Sequence, residues 1–379
     1  MKYKFEDIAI NSTAKKLPEP SDNEHYIGLE HLDSDNLYVT RWGADTAPIG
    51  EKLLMKKGDV LFGKRRAYQK KVGIAPFDGI FSAHGMVLRP KEDVICKEFF
   101  PFFISSDYFL NEAIRISVGG LSPTINWKDL RVLEFELPSL DEQRVLADKL
   151  WAAYEVKESY KNLLAQTDKL LHAQFEKMFG EETNTPYEKL EKLCKTFIDG
   201  DWIESKDQSV EGVRLVQTGN VGNGEYLDKI DKAHYITEST FDRLHCTEIF
   251  AGDILISRLP DPIGRACILP EGLGKAITAV DCTIIRLNEE CVLPKFFIAA
   301  TNSTAYQNKV RSFITGTTRA RISRGNLATI EIPVPPMKLQ EEFVHIAEQA
   351  EQTKASLNKG IEAIEAVIRS LIAEGTTKV

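Results

Sequence analysis

The sequence predicts an α+β protein made of two similar, mainly β modules, each followed by a long amphipathic helix. Three observations predict it. The chain resembles itself in order from end to end, each copy carries short apolar runs closed by glycine or proline, and two long stretches keep helical spacing.

The self-resemblance comes first. Phe5-x-x-Ile8 resembles Leu190-x-x-Leu193 at an offset of 185 residues. Gly58-Asp59-Val60-Leu61 matches Gly252-Asp253-Ile254-Leu255, and Ile74-Ala75-Pro76 matches Ile268-Leu269-Pro270, both at 194. Arg89 and Phe99-Phe100 pair with Arg286 and Phe296-Phe297 at 197, and so do Gly119, Ile125, Leu130, Pro138 and Gln143 with Gly316, Ile322, Leu327, Pro335 and Gln340. An offset that only grows is what small loop insertions produce, whereas chance matches scatter. The chain is a duplication.

Each copy then reads the same way. Val60-Leu61-Phe62 and Ile254-Leu255-Ile256 follow a Gly-Asp turn signal and read as buried strands, as do Val72 to Ala75 and Ala266 to Leu269 before their prolines. Lys97 to Ile116 and Lys295 to Phe313 read as aromatic-rich helices. A Gly/Ser/Thr loop follows each, and alternation in Val132 to Pro138 and Thr329 to Pro333 marks a strand with one wet face.

The last element is different in kind. Asp141 to Phe179 contains neither Gly nor Pro, and Leu146, Leu150, Val156, Tyr160, Leu163 and Leu170 recur at helical steps. The second copy runs from about Leu339 to Ala373 with Phe343, Ile346, Leu357, Ile361, Ile364 and Ile368. Gly180 and Gly375 are read as the glycines that stop the two helices. These stripes, near a and d spacing on helices roughly 50 to 58 Å long, call for helical partners. The simplest partners are each other, running antiparallel as a coiled coil about a pseudo-two-fold. The expected domains are 1–139, helix 140–180, 181–336, helix 337–374 and a tail, 375–379.

Composition bounds the function. A 379-residue chain that is 43% apolar and 27% charged is a folded protein of two domains. The start has no signal-peptide core and no window reads as a membrane span, so a cytoplasmic protein is expected. Six cysteines without C-x-x-C spacing read as reduced, mostly buried thiols, not metal ligands. Net charge is −8, which argues against a uniformly basic surface but not against local basic patches.

No phosphate loop, nucleophile elbow, H-E-x-x-H or Asn/Asp-Pro-Pro-Tyr/Phe signature occurs, and Gly219 to Gly224 reads as a hairpin loop. No catalytic constellation is found, and no cofactor or metal is expected on this chain. What the chain does carry is basic loops. Lys64-Arg65-Arg66-x-Tyr68-x-Lys70-Lys71 puts five cations and a tyrosine into eight residues after a strand. The second copy has only Arg258 and Arg265 there, but places Arg319, Arg321 and Arg324 in its Gly/Thr loop, where the first has Pro123 and Lys128. Such loops suit phosphate contacts, and arginine also reads guanine in the major groove. One such cluster alone reads as a solvated loop. One frame with two different sets of tips reads as two readers of different sequences.

The duplicated order of Gly-Asp-[Val/Ile]-Leu, the Gly-x-Ser/Thr loop, the strand ending in proline and Pro-x-x-x-x-Gln (Pro138 to Gln143, Pro335 to Gln340) resembles the specificity subunit of type I restriction–modification enzymes over essentially the whole chain. The resemblance implies two target-recognition domains and a non-catalytic subunit that binds double-stranded DNA and two methyltransferase (modification) subunits, with restriction subunits joining. S-adenosylmethionine, Mg and ATP would bind those partners. It also implies DNA contacts at Gly120, Ser122 and Thr124, and at Thr317, Thr318 and Arg319 after Gly316, although Pro123 replaces a basic position. The other reading is a coiled-coil scaffold that holds protein partners without touching DNA.

Overall fold

A computed structural model describes residues 1–376 apart from Ala47, Thr317 and Thr318. The chain divides into two compact units, Met1–Asn162 with Leu357–Val379, and Leu163–Ser356.

In the first unit, Val60–Phe62 is an inner strand of a four-stranded antiparallel sheet, ordered Ala9–Ser12, Met86–Pro90, Val60–Phe62, Val72–Ile74. In the second, Ile254–Ser257 holds the matching place in Cys194–Asp199, Cys282–Leu287, Ile254–Ser257, Ala266–Ile268. The repeated Gly-Asp explains this register. Gly58 (φ +87°) and Gly252 (φ +88°) make the turn. Asp59 then accepts Lys56 N at 2.8 Å and grips Arg89 through two bonds of 2.7 and 2.8 Å. Asp253 does the same with Phe250 N and Arg286. A half-buried bidentate pair of this kind ties neighbouring strands at a fixed register.

A second four-stranded sheet differs between the units. In the first it runs Lys15–Lys16, Lys52–Met55, Gly79–Phe81, Tyr26–Ile27; in the second, Gln208–Ser209, His234–Ile236, Val213–Val216, Ala276–Thr278. Each ends in a parallel pair, but the middle strands come from different parts of the chain. A two-stranded ladder completes each unit, Lys2–Lys4 with Glu134–Glu136 and Tyr187–Lys189 with Glu331–Pro333.

The aromatic helices are broken where the sequence reading expects continuity. They form Phe100–Ser105 with Asp107–Arg115, and Pro294–Thr301 with Thr304–Ser312. At each break a buried serine, Ser106 or Ser303, caps the second helix by accepting Phe109 N or Tyr306 N. Burial of the cysteines is as expected for Cys96, Cys246, Cys267 and Cys282, while Cys291 is exposed; burial pushes the Cys267 thiol up to about 12.

The long helices are Leu140–Phe179 and Met337–Thr376. Gly375 therefore does not stop the second helix. A side chain there would meet Leu146 at 2.9 Å and Phe99 at 3.3 Å, so glycine lets the helix lie close to its neighbours. Within the first unit the two helices run antiparallel: Leu146 lies beside Gly375, Tyr160 beside Gly360, and Lys157 pairs with Glu365 at 2.9 Å. Within the second they do so again, with Lys354 on Asp168 at 2.7 Å and Phe175 against Phe343 at 5.2 Å. Lys157 and Lys354 are 197 residues apart, as are Asp168 and Glu365, so the duplication extends to the charges that hold the helix register.

Three of the expected seam residues also enter the module cores. Leu146 and Leu150 pack with Phe99, Phe102 and Phe103, and Phe343 packs with Phe175, Phe179 and Phe296. Tyr160, Ile346, Leu357, Ile361, Ile364 and Ile368 are partly buried. Val156 in the first unit is 43% exposed, and in the second unit Leu163 and Leu170, one heptad apart, are 50% and 70% exposed. Among the described residues, no helix is long and apolar enough to cross a membrane.

Candidate nucleic-acid interface

Two segments read separately from sequence meet in the first unit. After the strand Val60–Phe62 the chain leaves the sheet as the strap Gly63 to Lys71, and the Gly/Ser loop docks onto it. Ile125 N donates to Lys64 O at 2.9 Å, Arg66 N donates to Pro123 O at 2.8 Å, and Arg65 Nε donates to Ser122 Oγ at 3.0 Å. The loop is closed by reciprocal Val118 and Thr124 backbone bonds and turns at Gly119 (φ +113°). Arg66 and Lys70 are left-handed, at φ 54° and 49°, either side of the turn Ala67–Gln69. Non-glycine residues adopt that conformation at a cost of roughly 1–2 kcal/mol each, so the surrounding contacts impose it.

The outcome is a basic surface. Arg65, Arg66, Tyr68 and Lys128 are exposed, Lys64 is half-buried, and Gly120 stands at the loop tip. The sequence reading missed His84, whose Nε2 lies 3.3 Å from Arg65 Nη1. It also missed Lys15 and Lys52, which lie close enough to act electrostatically on Lys64 and His84 respectively. A lone histidine in a strand connection gives no signal; only the sheet pairing brings it beside the strap.

Burial, then Arg65, Lys64 and Lys52, hold the His84 imidazole below its ordinary range. It is therefore uncharged at neutral pH in the free protein. In the free protein a lowered imidazole pKa makes the unfolded state take up the proton first, so acid weakens the fold. A phosphate placed here reverses the local field and favours the protonated ring. DNA affinity is thus expected to rise as pH falls from neutral to about 5.5, and His84→Gln to flatten that rise. An equal rise in the variant, measured at fixed salt, would contradict this.

Not every cation of the strap is free to meet a ligand. Lys70 is paired with Asp107 at 2.5 Å, and Lys71 Nζ donates to Leu29 O at 2.6 Å. Lys71 thereby staples the turn Leu29–His31 to the sheet.

The second unit repeats the frame and not the tips. Ile322 N donates to Arg258 O at 3.3 Å, Thr315 and Arg321 close the loop with reciprocal 3.0 Å bonds, and Gly316 turns it at φ +92°. Here the strap arginines are engaged by the protein itself. Arg265 is buried and spends its donors on the carbonyls of Val221, Pro260, Pro262 and Thr218 at 2.6 to 2.8 Å. Its bond to Thr218, the first residue of a 3-10 turn, repeats that of Lys71 to Leu29. The Arg258 side chain is 11% exposed, held by Val280 O, Ile322 O and Asp199. Neither side chain reaches a ligand without breaking these bonds. Arg319 and Arg321 are exposed, and Arg324 is exposed but within 3.9 Å of Asp199. Thr317 and Thr318 lie outside the described residues.

Comparison with known proteins agrees with this duplicated frame. The model of the type I restriction modification DNA specificity domain matches residues 6–166 and again 186–366. The chain is 21% identical over 322 residues to the type I restriction enzyme EcoKI specificity subunit of Escherichia coli (strain K12), spanning 79% of this chain and 68% of that one. It is 26% identical over 185 residues to the EcoDI specificity subunit of Escherichia coli, spanning 47% and 41%. The fold is similar to a chain from a structural study of complex assembly and conformational transition of the type I R-M system, with TM-score 0.59, 17% identity and coverage of 99% and 97%. It is also similar to the type I restriction–modification system S subunit from M. genitalium, with TM-score 0.55, 14% identity and coverage of 100% and 96%.

Proposed function

The chain belongs to the family of type I restriction–modification DNA specificity domains, and on that premise we propose that each of its modules reads one half of a bipartite, asymmetric DNA site. One observation carries this reading: a loop-on-strap junction built alike in both modules presents Lys64, Arg65 and Arg66 in one and Arg319 and Arg321 in the other. Phosphate contacts position a protein on DNA and side chains at base edges read sequence, so equal frames with unequal cations suit two unlike half-sites.

The helices set the spacing between the half-sites and dock two methyltransferase subunits. The exposed Leu163 and Leu170 of the second unit support the docking, because heptad-spaced apolar residues on a charged helix fit a further helix. Restriction subunits join that assembly. The subunit itself carries out no chemistry; S-adenosylmethionine, Mg and ATP serve its partners, in the cytoplasm. A scaffold without DNA reading is not favoured, since the matching domain model is a DNA specificity domain in both copies.

The test is co-expression with a type I methyltransferase subunit and mapping of methylated adenines across a genome. The expected result is one two-part motif whose halves differ. Methylation with no shared motif would overturn the reading.

A further inference from the structure

Each long helix begins by giving one glutamine to the core of its own module. Gln143 and Gln340 are both 0% exposed. The Gln143 amide oxygen accepts Cys96 N at 2.7 Å, and its nitrogen donates to Val94 O at 3.1 Å and Pro138 O at 3.0 Å. The Gln340 oxygen accepts Leu293 N at 2.9 Å, and its nitrogen donates to Cys291 O and Pro335 O, both at 2.9 Å. Every partner in one copy is 197 residues from its partner in the other. We propose that Gln143 and Gln340 are positioning residues that fix the angle between each module and its helix, and thereby the number of base pairs allowed between the two half-sites.

Apolar contacts hold the helix against the module but are tolerant of rotation and sliding, because hydrophobic burial has no preferred direction. Leu146 and Leu150 supply such contacts in the first unit and Phe343 in the second. The amide differs. It ties the helix to two separate segments: the strand exit at Pro138 or Pro335, and the turn before the aromatic helices at Val94 to Cys96 or Cys291 to Leu293. Both its N–H donors are used and its oxygen accepts one bond, so any other helix pose strands several buried polar groups at once.

The lever is long. Within the first unit the helix runs from Leu140 to Asn162, about 34 Å, so a tilt of about 6° displaces that end by about 3.4 Å, one base-pair step. Small errors in the clamp are therefore errors of a whole base pair. A glutamine that served only stability has no such consequence.

The inference rests on the two-part site proposed above, and its test separates the two. The full chain is co-expressed with its methyltransferase partner as wild type, as Gln143→Met, as Gln340→Met and as the double variant. A core variant, Ile125→Val, is the control for lost stability, with melting temperatures measured for all. Methionine fills the volume without directional bonds. The expected result is that both half-site sequences persist while discrimination against spacers one base pair longer or shorter falls about tenfold or more. Ile125→Val is expected to keep the wild-type spacing. If a methionine variant does not accumulate as folded protein, Gln143→Glu, which keeps an acceptor opposite Cys96 N, replaces it in the same comparison. Unchanged spacing in the glutamine variants, with the wild-type motif present, overturns the inference alone. A wild type that methylates no two-part sequence overturns the underlying reading and the inference with it.

Discussion

Alanine at Lys64, Arg65 and Arg66 together is expected to weaken binding of the assembled complex to its own site about 100-fold at 0.15 M salt. The magnitude follows from counterion release. Each cation that neutralises a phosphate contributes a slope of about 0.9 in log affinity against log salt, and a cation at a base edge adds about 1–3 kcal/mol of base preference, so with two of the three on phosphates the slope falls by nearly two. The loss is then largest in dilute salt and fades in concentrated salt. The strap and the loop hold Arg65 and Arg66 outward, braced on Ser122 and Pro123 O, and the half-buried Lys64 stands next to them in the chain. Lys71→Met is the internal control. Its ammonium is engaged with Leu29 O, so it should cost stability and leave the salt slope unchanged. Fluorescence anisotropy across a salt series measures both, and a slope equal to wild type in the triple variant would mark the strap as plain surface.

Phe343→Ala should have the largest effect on folding. The ring is 0% exposed and packs edge-on against Phe175, Phe179 and Phe296. Truncating such a side chain removes its transfer energy and leaves a cavity, together about 3–5 kcal/mol. The unfolding transition of the second unit should fall by roughly 10 °C or more. Leu170→Ala supplies the contrast. At 70% exposure it should change the stability of the isolated chain by less than about 0.5 kcal/mol, and weaken binding of the methyltransferase subunit instead. Calorimetry of the free chain and a binding titration distinguish the two. A stable Phe343→Ala protein would place the ring outside the core.

The duplication was legible because a repeated frame leaves matching residues at fixed offsets, and the helices were legible because a helical stripe persists over many turns. The reason for the repeats was less visible. Gly58-Asp59 and Arg89 matched their counterparts in sequence, yet nothing in the spacing showed that Asp59 holds Arg89 across two strands. Ser106 and Ser303 also passed unnoticed, since a capping serine inside an apolar run looks like any other small polar residue until the helix breaks there.

The candidate site was legible as composition and not as direction. Arg66 and Arg265 are equally basic in sequence, but one stands in solvent and the other is buried on four backbone carbonyls, Pro260 and Pro262 of its own loop and Thr218 and Val221 of a distant one. Which way a strap arginine turns depends on the loop wrapped around it. His84 reaches the surface through sheet pairing between segments far apart in the chain, which no local pattern records.

The central claim is that a common frame carries two unlike readers. Mapping methylated adenines for two variants tests it most directly: Lys64, Arg65 and Arg66 to alanine, and Arg319 and Arg321 to alanine, each with the methyltransferase partner. The account expects the first to relax base preference in one half of the motif only, and the second in the other half only, with the spacer unchanged in both. Relaxation of both halves by either variant, or of neither half by both, would contradict it.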